Sequence, residues 1–284
     1  MDHKRQGKNT MQFDTAMSSD KGMVRENNED SCFVLETGKS TSSRKAYYGL
    51  YLVADGMGGH RAGEVASSRA IEIISSTILD KIKTPDTETT LPQIVLEAIE
   101  KANNEIRTIA QSNPAFSGMG TTVTLGLRAG NQLYLGHVGD SRAYLIRGGK
   151  ITRLTHDHSL VAGLIEAGMI TEEESKHHPD RNKIFRCLGN SPQVSIDTYR
   201  EIGDEDSLIL QQGDNLAFCS DGLTNHVSDS EILVVVVEAK SANQACQRLI
   251  TMANQSGGDD NISIIVVKSK GTQTTKRTQT IAQT

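Results

Sequence analysis

The sequence predicts an α+β protein, an antiparallel β-sandwich whose outer faces are covered by antiparallel helix pairs. Three observations favour this fold class. Short runs rich in Val, Ile and Leu are separated by turns containing Gly or Asn, which is typical of strands joined as hairpins. Two longer segments carry Ile and Ala at helical spacing and are joined by a short polar linker, as in a helix pair laid on a sheet. The regular strand–helix alternation of a doubly wound parallel fold does not occur in the sequence.

The first part of the chain predicts strands and then the helix pair. Residues 13–36 predict a strand, a turn and a second strand. The polar stretch 37–46 predicts a hairpin loop before a fully buried strand at 47–55. Residues 62–83 predict a helix because isoleucines recur there at helical spacing, and a second helix follows at about 91–112.

The middle of the chain predicts hairpins and then an insertion. Between 119 and 154, apolar runs of period two alternate with Gly-containing turns, so we expect short strands. Residues 155–195 are instead rich in His, acidic residues and Gly. We expect a mobile flap there at about 160–190, with short helices near 158–167 and from the Thr171 cap onward.

The C-terminal part contains one ambiguous segment. Strands return at 206–219, and the apolar run 262–269 predicts the final strand. Between them, four consecutive valines favour a strand, whereas Ser228 and Glu231 form a capping-box pattern directly before the apolar run. We predict a helix at this run and a further helix at about 242–254.

The composition disfavours several classes of protein. The length allows one large domain or two small ones, and we expect residues 1–11 and 269–284 to be flexible tails. A net charge of −5, no Trp and few other aromatics disfavour nucleic-acid binding. No apolar run approaches the roughly 18 residues of a membrane span, and the N-terminus lacks the apolar core of a secretory signal. The four cysteines form no C-x-x-C pair, which favours reduced thiols in a cytoplasmic protein.

The Thr-rich tail allows two interpretations. It could be a phosphorylation or docking segment near Lys276 and Arg277, or a solvated terminus. We favour the solvated terminus.

Four aspartates stand at the edges of apolar runs, each beside Gly or Asn. Asp55, Asp140 and Asp221 close predicted strands, whereas Asp260 opens one. Antiparallel neighbours would therefore carry all four carboxylates to the same end of a sheet. Clustered carboxylates repel one another, and an all-oxygen ligand set suits Mg²⁺ or Mn²⁺. A single Asp-Gly pair is more often a simple turn, but its recurrence at strand ends favours a metal site.

Seven segments that contain these aspartates and their neighbours follow one another in a fixed order. They are GMVRENNED (22–30), DGMGGHRAGEVAS (55–67), GMGTTVT (118–124), GHVGDSRAYLIR (136–147), TRLTHDHS (152–159), SDGLTNHVSDSEI (220–232) and GGDDNIS (257–263). Together they resemble the PPM/PP2C family of metal-dependent protein Ser/Thr phosphatases in its bacterial form, over residues 12–268. The segment from Gly168 to Gly189 also resembles the flap of the bacterial branch.

The resemblance implies a set of metal ligands. Asp55 would bridge two ions, Mn²⁺ or Mg²⁺, and the Gly56 carbonyl would bind the second ion. Asp221 and Asp260 would bind the first ion, and Glu29 would bind around the second through water. Two such ions lower the pKa of a bridging water, neutralise phosphate charge and orient the nucleophile. The implied reaction is in-line attack by a metal-bridging hydroxide on phosphoserine or phosphothreonine, without a covalent intermediate.

The resemblance also implies supporting residues. Arg25 would hold the phosphate, because its planar guanidinium matches two phosphate oxygens at once. Asp30 and Asn261 would support the metal ligands by hydrogen bonding. Asp140 resembles the ligand of a third, weaker ion in bacterial relatives.

The acid that protonates the leaving group is left open. Many eukaryotic relatives have a His at the position of Met57, so a metal-bound water is our first choice and His60 a less favoured one. His137 lies in a predicted strand and is expected to pack there, whereas His156 and His158 border the predicted cleft.

The implied partners are phosphorylated Ser/Thr proteins and a cognate bacterial Ser/Thr kinase, and we expect a cytoplasmic monomer that binds neither nucleic acid nor membranes. Three alternatives remain at this point. One is a signalling phosphatase dedicated to a single phosphoprotein, and another is a hydrolase of small phosphorylated metabolites. The third is a non-catalytic pseudophosphatase that acts as a binding module, which would predict decayed metal ligands.

Overall fold

The structure is a computed structural model, and it describes residues 11–40, 45–58, 62–83, 89–200 and 205–270. The strands in these ranges are β1 (Gln12–Asp20), β2 (Asp30–Ser40), β3 (Lys45–Met57), β4 (Gly120–Thr121), β5 (Val123–Ala129), β6 (Gln132–Val138), β7 (Arg142–Arg147), β8 (Lys150–Arg153), β9 (Asp197–Thr198), β10 (Leu208–Ile209), β11 (Asn215–Cys219) and β12 (Ile262–Lys270). The helices are α1 (Ala62–Lys83), α2 (Leu91–Ser112), α3 (Leu160–Glu166), α4 (Glu172–Lys176), α5 (Asp221–Thr224), α6 (Asp229–Glu238) and α7 (Ala242–Gln255), with a 3₁₀ turn at Pro114–Phe116.

The strands form two antiparallel sheets. One has the order β1-β12-β11-β7-β8. The other has the order β10-β6-β5-β3-β2, with β4 paired to β3 and β9 paired to β6. The predicted α+β class with an antiparallel sandwich is therefore confirmed.

Three apolar clusters hold the layers together. The cluster between the sheets contains Tyr51 of β3 and Phe218 of β11, whose rings lie 5.6 Å apart. The second cluster packs α1 and α2 against the sheet of β3, and the third packs α6 and α7 against the sheet of β12. Fully buried aliphatic side chains each stabilise the fold by roughly 1.5–3 kcal/mol, so the strands whose ends carry the acidic residues are firmly held.

The run of four valines is helical, as the capping pattern predicts. The Ser228 side chain accepts a hydrogen bond from the Glu231 amide, and the Glu231 carboxylate accepts one from the Ser228 amide. Within the run, Val235 and Val236 are buried whereas Val234 and Val237 are exposed, which is a helical rather than an alternating pattern.

Three predicted boundaries differ from the structure. The loop predicted at 37–46 is shorter, since β2 extends to Ser40 and β3 begins at Lys45. Strand β3 continues to Met57, so Asp55 lies inside a strand, and Asp221 opens the short helix α5 after the strand has ended. The final strand continues to Lys270, past the boundary expected at residue 268, while residues 1–10 and 271–284 of the predicted tails lie outside the described residues.

Residues 155–195 carry the short helices α3 and α4, as predicted. An isolated bridge from Ser159 to Ile184 closes this segment on itself, and one from Thr121 to Leu188 joins it to β4. Among the described residues, no helix combines the length and the apolar character required to cross a bilayer.

Candidate metal centre

A cleft of about 260 Å³ lies at the end of the sandwich where β3, β6 and β11 finish and β12 starts. Every metal ligand implied by the sequence lines it, as does Arg25. The described lining consists of Arg25, Glu29, Asp55, Gly56, Met57, Gly58, Asp140, Asn182, Ile184, Asp221, Asp260 and Asn261. The fold thus brings together acidic residues that lie far apart in the chain.

Asp55 is held from both sides of its strand. It lies opposite Asp30 in the register of β2 and β3. Its amide donates to the Thr122 hydroxyl at 3.0 Å. Its carbonyl accepts from the Thr122 amide at 2.9 Å and from the Thr121 hydroxyl at 2.8 Å. The two threonines of the GMGTTVT segment therefore fix the backbone that carries the carboxylate.

The aspartates raise one another's pKa. Burial raises the pKa of Asp55 well above its usual range, and the charges of Asp30, Asp221 and Asp140 raise it further. Burial and then the charge of Asp260 raise the pKa of Asp221, and burial and then Asp221 raise that of Asp140. These carboxyl groups share one environment in which a cation would be strongly favoured.

Asp30 lies behind the cleft and connects it to Asp221. The Ser220 hydroxyl donates to Asp30 Oδ2 at 2.6 Å and accepts from the Ser263 amide at 2.9 Å. Burial is the main cause that raises the pKa of Asp30 to about 7. Asp30 Oδ1 and Asp221 Oδ1 are buried without a hydrogen-bond partner, and unpaired buried oxygens of this kind need an explanation such as an ion or a water.

Asn261 joins the start of β12 to the loop before β2. Its side-chain amide donates to the carbonyls of Lys21 and Asn27 at 3.0 and 2.9 Å. Its Oδ1 accepts from the Glu29 amide at 2.8 Å. Asn261 therefore positions the whole loop that carries Arg25 and Glu29.

Arg25 lies at the mouth of the cleft with its side chain 48% exposed. Its Nη2 donates to Asp260 Oδ2 at 2.8 Å, while Asp260 Oδ1 accepts from the Asn261 amide at 2.8 Å. A guanidinium has five N–H donors, so Arg25 retains donors for a phosphate that enters the cleft.

Two glycines allow β3, α1 and the Glu29 loop to approach closely. A Cβ at Gly56 would lie 2.2 Å from the Gly63 carbonyl oxygen and 2.5 Å from that of Glu29. A Cβ at Gly63 would lie 2.3 Å from Glu29 Oε2. The Glu29 carboxylate is thus packed against the start of α1, where helix amide groups favour a negative charge.

The donor set fits hard divalent ions, although it does not enclose one. In the described part of the chain, no group of three or more His, Cys, Asp or Glu side chains forms a set that could hold a metal ion. The available donors are all oxygens, one of them (Asp221 Oδ1) is buried and unpaired, and the mutual repulsion of the carboxylates is what a divalent ion would relieve.

Asp140 is positioned by a network that the sequence did not indicate. The preceding Gly139 donates its amide to His158 Nδ1 at 3.0 Å and accepts from the His158 amide at 2.8 Å. Because Nδ1 accepts, the ring proton lies on Nε2, which donates to Asp197 Oδ2 at 3.0 Å. Arg186 donates to Asp197 Oδ1 at 2.7 Å. Through Asp197 and Arg186, His158 thus connects the Asp140 turn to the segment that carries α3 and α4. The TRLTHDHS segment pointed to His158, but no motif pointed to Asp197.

The other histidines lie away from the metal cleft or outside the described residues. His137 is buried in β6, as predicted, and its Nδ1 lies 2.9 Å from the Thr124 hydroxyl. Burial lowers the pKa of His137 to about 4. His156 is exposed and borders a second cleft. His60 lies outside the described residues, and Met57 takes a place in the lining of the metal cleft.

Comparison with known proteins is consistent with this geometry. The family model described as Protein phosphatase 2C matches residues 15–167. The serine/threonine phosphatase stp of Listeria monocytogenes is 36% identical over 258 residues, which are 90% of this chain and 95% of that protein.

Solved structures show the same likeness. The serine/threonine phosphatase PstP/Ppp of Mycobacterium tuberculosis matches with a TM-score of 0.74 and 35% identity, over 91% of this chain and 99% of that one. The catalytic domain of PstP in complex with two manganese ions also matches with a TM-score of 0.74, at 34% identity, over 92% of this chain and 100% of that one. On the family model, the curated relative and these structures together, this chain belongs to the protein phosphatase 2C family.

Proposed function

We propose that this protein hydrolyses phosphoserine and phosphothreonine in phosphoproteins and that it needs Mn²⁺ or Mg²⁺. The observation that carries the proposal is the convergence of Asp55, Asp140, Asp221 and Asp260 on one cleft, with Arg25 at its mouth. The relatives named above are serine/threonine phosphatases, and one was solved with two manganese ions.

Each residue of the cleft has a definite part in this function. Asp55, Asp221 and Asp260 would hold two ions together with the Gly56 carbonyl, Glu29 would act through water, and Asp140 would hold a third, weaker ion. When bound, the two ions supply a nucleophile from water at neutral pH and neutralise charge on the phosphate.

The chain's own groups bind the substrate and limit proton transfer. Arg25 would hold the phosphate by a charge-assisted pair of hydrogen bonds. The described lining of the cleft contains no His, and Met57 has no proton to give, so the leaving oxygen would take its proton from water. Asp30 and Asn261 keep the ligands in place through Ser220 and the Arg25–Glu29 loop.

The pseudophosphatase alternative is not favoured, because no predicted ligand has decayed and all of them reach one cleft. We propose that residues 12–268 form the phosphatase domain, with a flap at about 160–190. We further propose a cytoplasmic monomer that acts on phosphorylated Ser/Thr proteins and opposes a cognate Ser/Thr kinase.

The proposal is tested by hydrolysis of p-nitrophenyl phosphate and a phosphothreonine peptide, each with Mn²⁺ and with EDTA. We expect activity only with metal, and we expect Asp221→Asn to lower it at least ~10²-fold, the scale of losing a principal electrostatic group. Asp80→Asn, whose side chain is 78% exposed on α1, is the matched control and should keep its activity. Activity that survives both the chelator and Asp221→Asn would refute the mechanism.

A further inference from the structure

A second, larger cleft adjoins the metal centre. It has a volume of about 700 Å³, within the roughly 300–1,000 Å³ of ligand-binding clefts. It lies between the flap helices α3 and α4, strand β8 and the helices α5 and α6. Asp140 and Asp221 line both clefts, so a chain whose phosphate sits in the metal cleft can continue directly into this one.

The second cleft has an apolar wall that is not covered by the described chain. Ile151 of β8, Val161 and Ile165 of α3, and Leu233 of α6 all line it, and each is only partly buried. Aliphatic side chains on three separate elements that face one open cleft favour an apolar occupant. A bare phosphate would gain nothing from this wall, whereas a peptide side chain would.

The positive charges of this cleft are already paired. Arg142 donates to both oxygens of Asp157, with N–O distances of 2.5 and 3.0 Å. Arg153 lies 3.7 Å from Asp229, and Arg181 donates to Asp259 at 3.3 Å. These arginines therefore do not make the cleft a second anion site.

Two negative charges on the flap side are not paired. Glu166 and Glu172 line the cleft and are exposed, and neither side chain has an ion-pair partner among the described residues. Glu166 also ends α3, where the helix carbonyls disfavour a negative charge. Its position is therefore not explained by the stability of α3, and it gives this end of the cleft an excess of negative charge.

We propose that the second cleft binds the polypeptide of the phosphoprotein beside its phosphorylated residue, and that it selects segments with an apolar side chain and a Lys or Arg. The apolar side chain packs on Ile151, Ile165 and Leu233, and the basic side chain pairs with Glu166 and Glu172. This inference rests on the proposed phosphatase function and assigns its substrate preference to named residues.

The test compares phosphothreonine peptides that differ only in charge. Two Lys or two Glu are placed within four residues of the phosphothreonine, on its N-terminal side in one pair of peptides and on its C-terminal side in the other. Four extended residues span roughly 13 Å, enough to leave the metal cleft. We expect a preference in the pair whose charged residues lie on the side that enters the second cleft. In that pair, the kcat/KM of the wild-type protein should be about fivefold higher for the Lys peptide than for the Glu peptide, the scale of one or two exposed ion pairs.

The decisive variant is the double charge reversal Glu166→Lys with Glu172→Lys. We expect it to invert the ratio of kcat/KM between the Lys and Glu peptides of the same pair. Glu105→Lys, an exposed change on α2, is the control that should keep the wild-type ratio. If the double variant does not fold, the single variant Glu166→Gln should bring the ratio toward one.

Four results separate the possible failures. A ratio near one for both peptide pairs in the wild-type protein would overturn the inference, and so would a ratio that the double variant leaves unchanged. An apolar-to-polar change, Ile165→Ser, should remove any preference for peptides with Leu over Ser beside the phosphothreonine, and an unchanged preference would also count against the inference. If the wild-type protein fails to hydrolyse p-nitrophenyl phosphate with Mn²⁺, the proposed function itself falls instead.

Discussion

Replacing Asp30 by Asn should change how the stability of the protein depends on pH. Asp30 is 8% exposed, its Oδ2 accepts from Ser220 and its Oδ1 has no partner. Burial, together with the charges of Asp221 and Asp260, raises its pKa from 3.8 to about 7. Between these two values the folded protein keeps a proton that the unfolded chain has lost. Stability from this group is therefore complete below pH 4 and is lost as the pH rises through 7.

The size of the effect follows from these two pKa values. Relative to acid pH, where the carboxyl is protonated in both states, Asp30 lowers the free energy of unfolding of the wild-type protein by about 2 kcal/mol at pH 5 and by about 4 kcal/mol at pH 8. The Asn variant has no such cost. The free energy of unfolding of Asp30→Asn, relative to wild type, should therefore rise by about 2–3 kcal/mol from pH 5 to pH 8.

The assay is urea denaturation with a chelator present at both pH values, with wild type, Asp30→Asn and the exposed control Asp80→Asn. The control should follow the wild-type curve. Saturating Mn²⁺ should shrink the difference between Asp30→Asn and wild type, because a cation in the cleft favours ionised carboxylates. Parallel stability curves for wild type and Asp30→Asn in chelator would refute the electrostatic account of the cleft.

Three further predictions concern the neighbouring groups. Arg25→Ala should raise KM for a phosphopeptide more than it lowers kcat in steady-state kinetics, and a fall in kcat alone would contradict ground-state phosphate binding. Gly63→Ala places a Cβ 2.3 Å from Glu29 Oε2, so it should lower the activity and should lower the free energy of unfolding by roughly 1–3 kcal/mol. A urea midpoint equal to that of the wild-type protein would contradict this packing. Because burial lowers the pKa of His137 to about 4, unfolding takes up a proton between pH 4 and 6.5. Stability therefore decreases as the pH is lowered from 6.5 to 4, by up to about 3 kcal/mol. His137→Asn should show a shallower loss of stability over that range, and an equal slope would exclude His137 as its source.

The segment at about 160–190, which we propose as a flap, is connected to the metal cleft in two places. His158 joins the Asp140 turn to Asp197, and Arg186 joins Asp197 to the base of the flap. On the other side, Arg181 of the flap donates to Asp259, which precedes the candidate ligand Asp260. A change in the position of this segment would therefore act on both the second cleft and the acidic residues.

The sequence by itself determined the elements of this protein and most of its candidate site. Local patterns were sufficient for this, because the isoleucine spacing of α1 and the capping box at Ser228 depend only on near neighbours. The aspartates beside Gly at strand edges indicated where chemistry was possible, and the order of seven segments indicated the family. The hairpin loop after β2 was predicted too long, since polar residues can continue an edge strand that the sequence pattern does not distinguish from a loop.

Only the tertiary structure decided how these residues act on one another. The hydrogen bond from Ser220 to Asp30, the pairing of Arg25 with Asp260 and the role of His158 join residues with no shared local pattern. The pKa of Asp30 and the second cleft depend on burial and on surfaces from several elements. Such properties arise when distant segments exclude water together, and no local pattern in the chain encodes that exclusion.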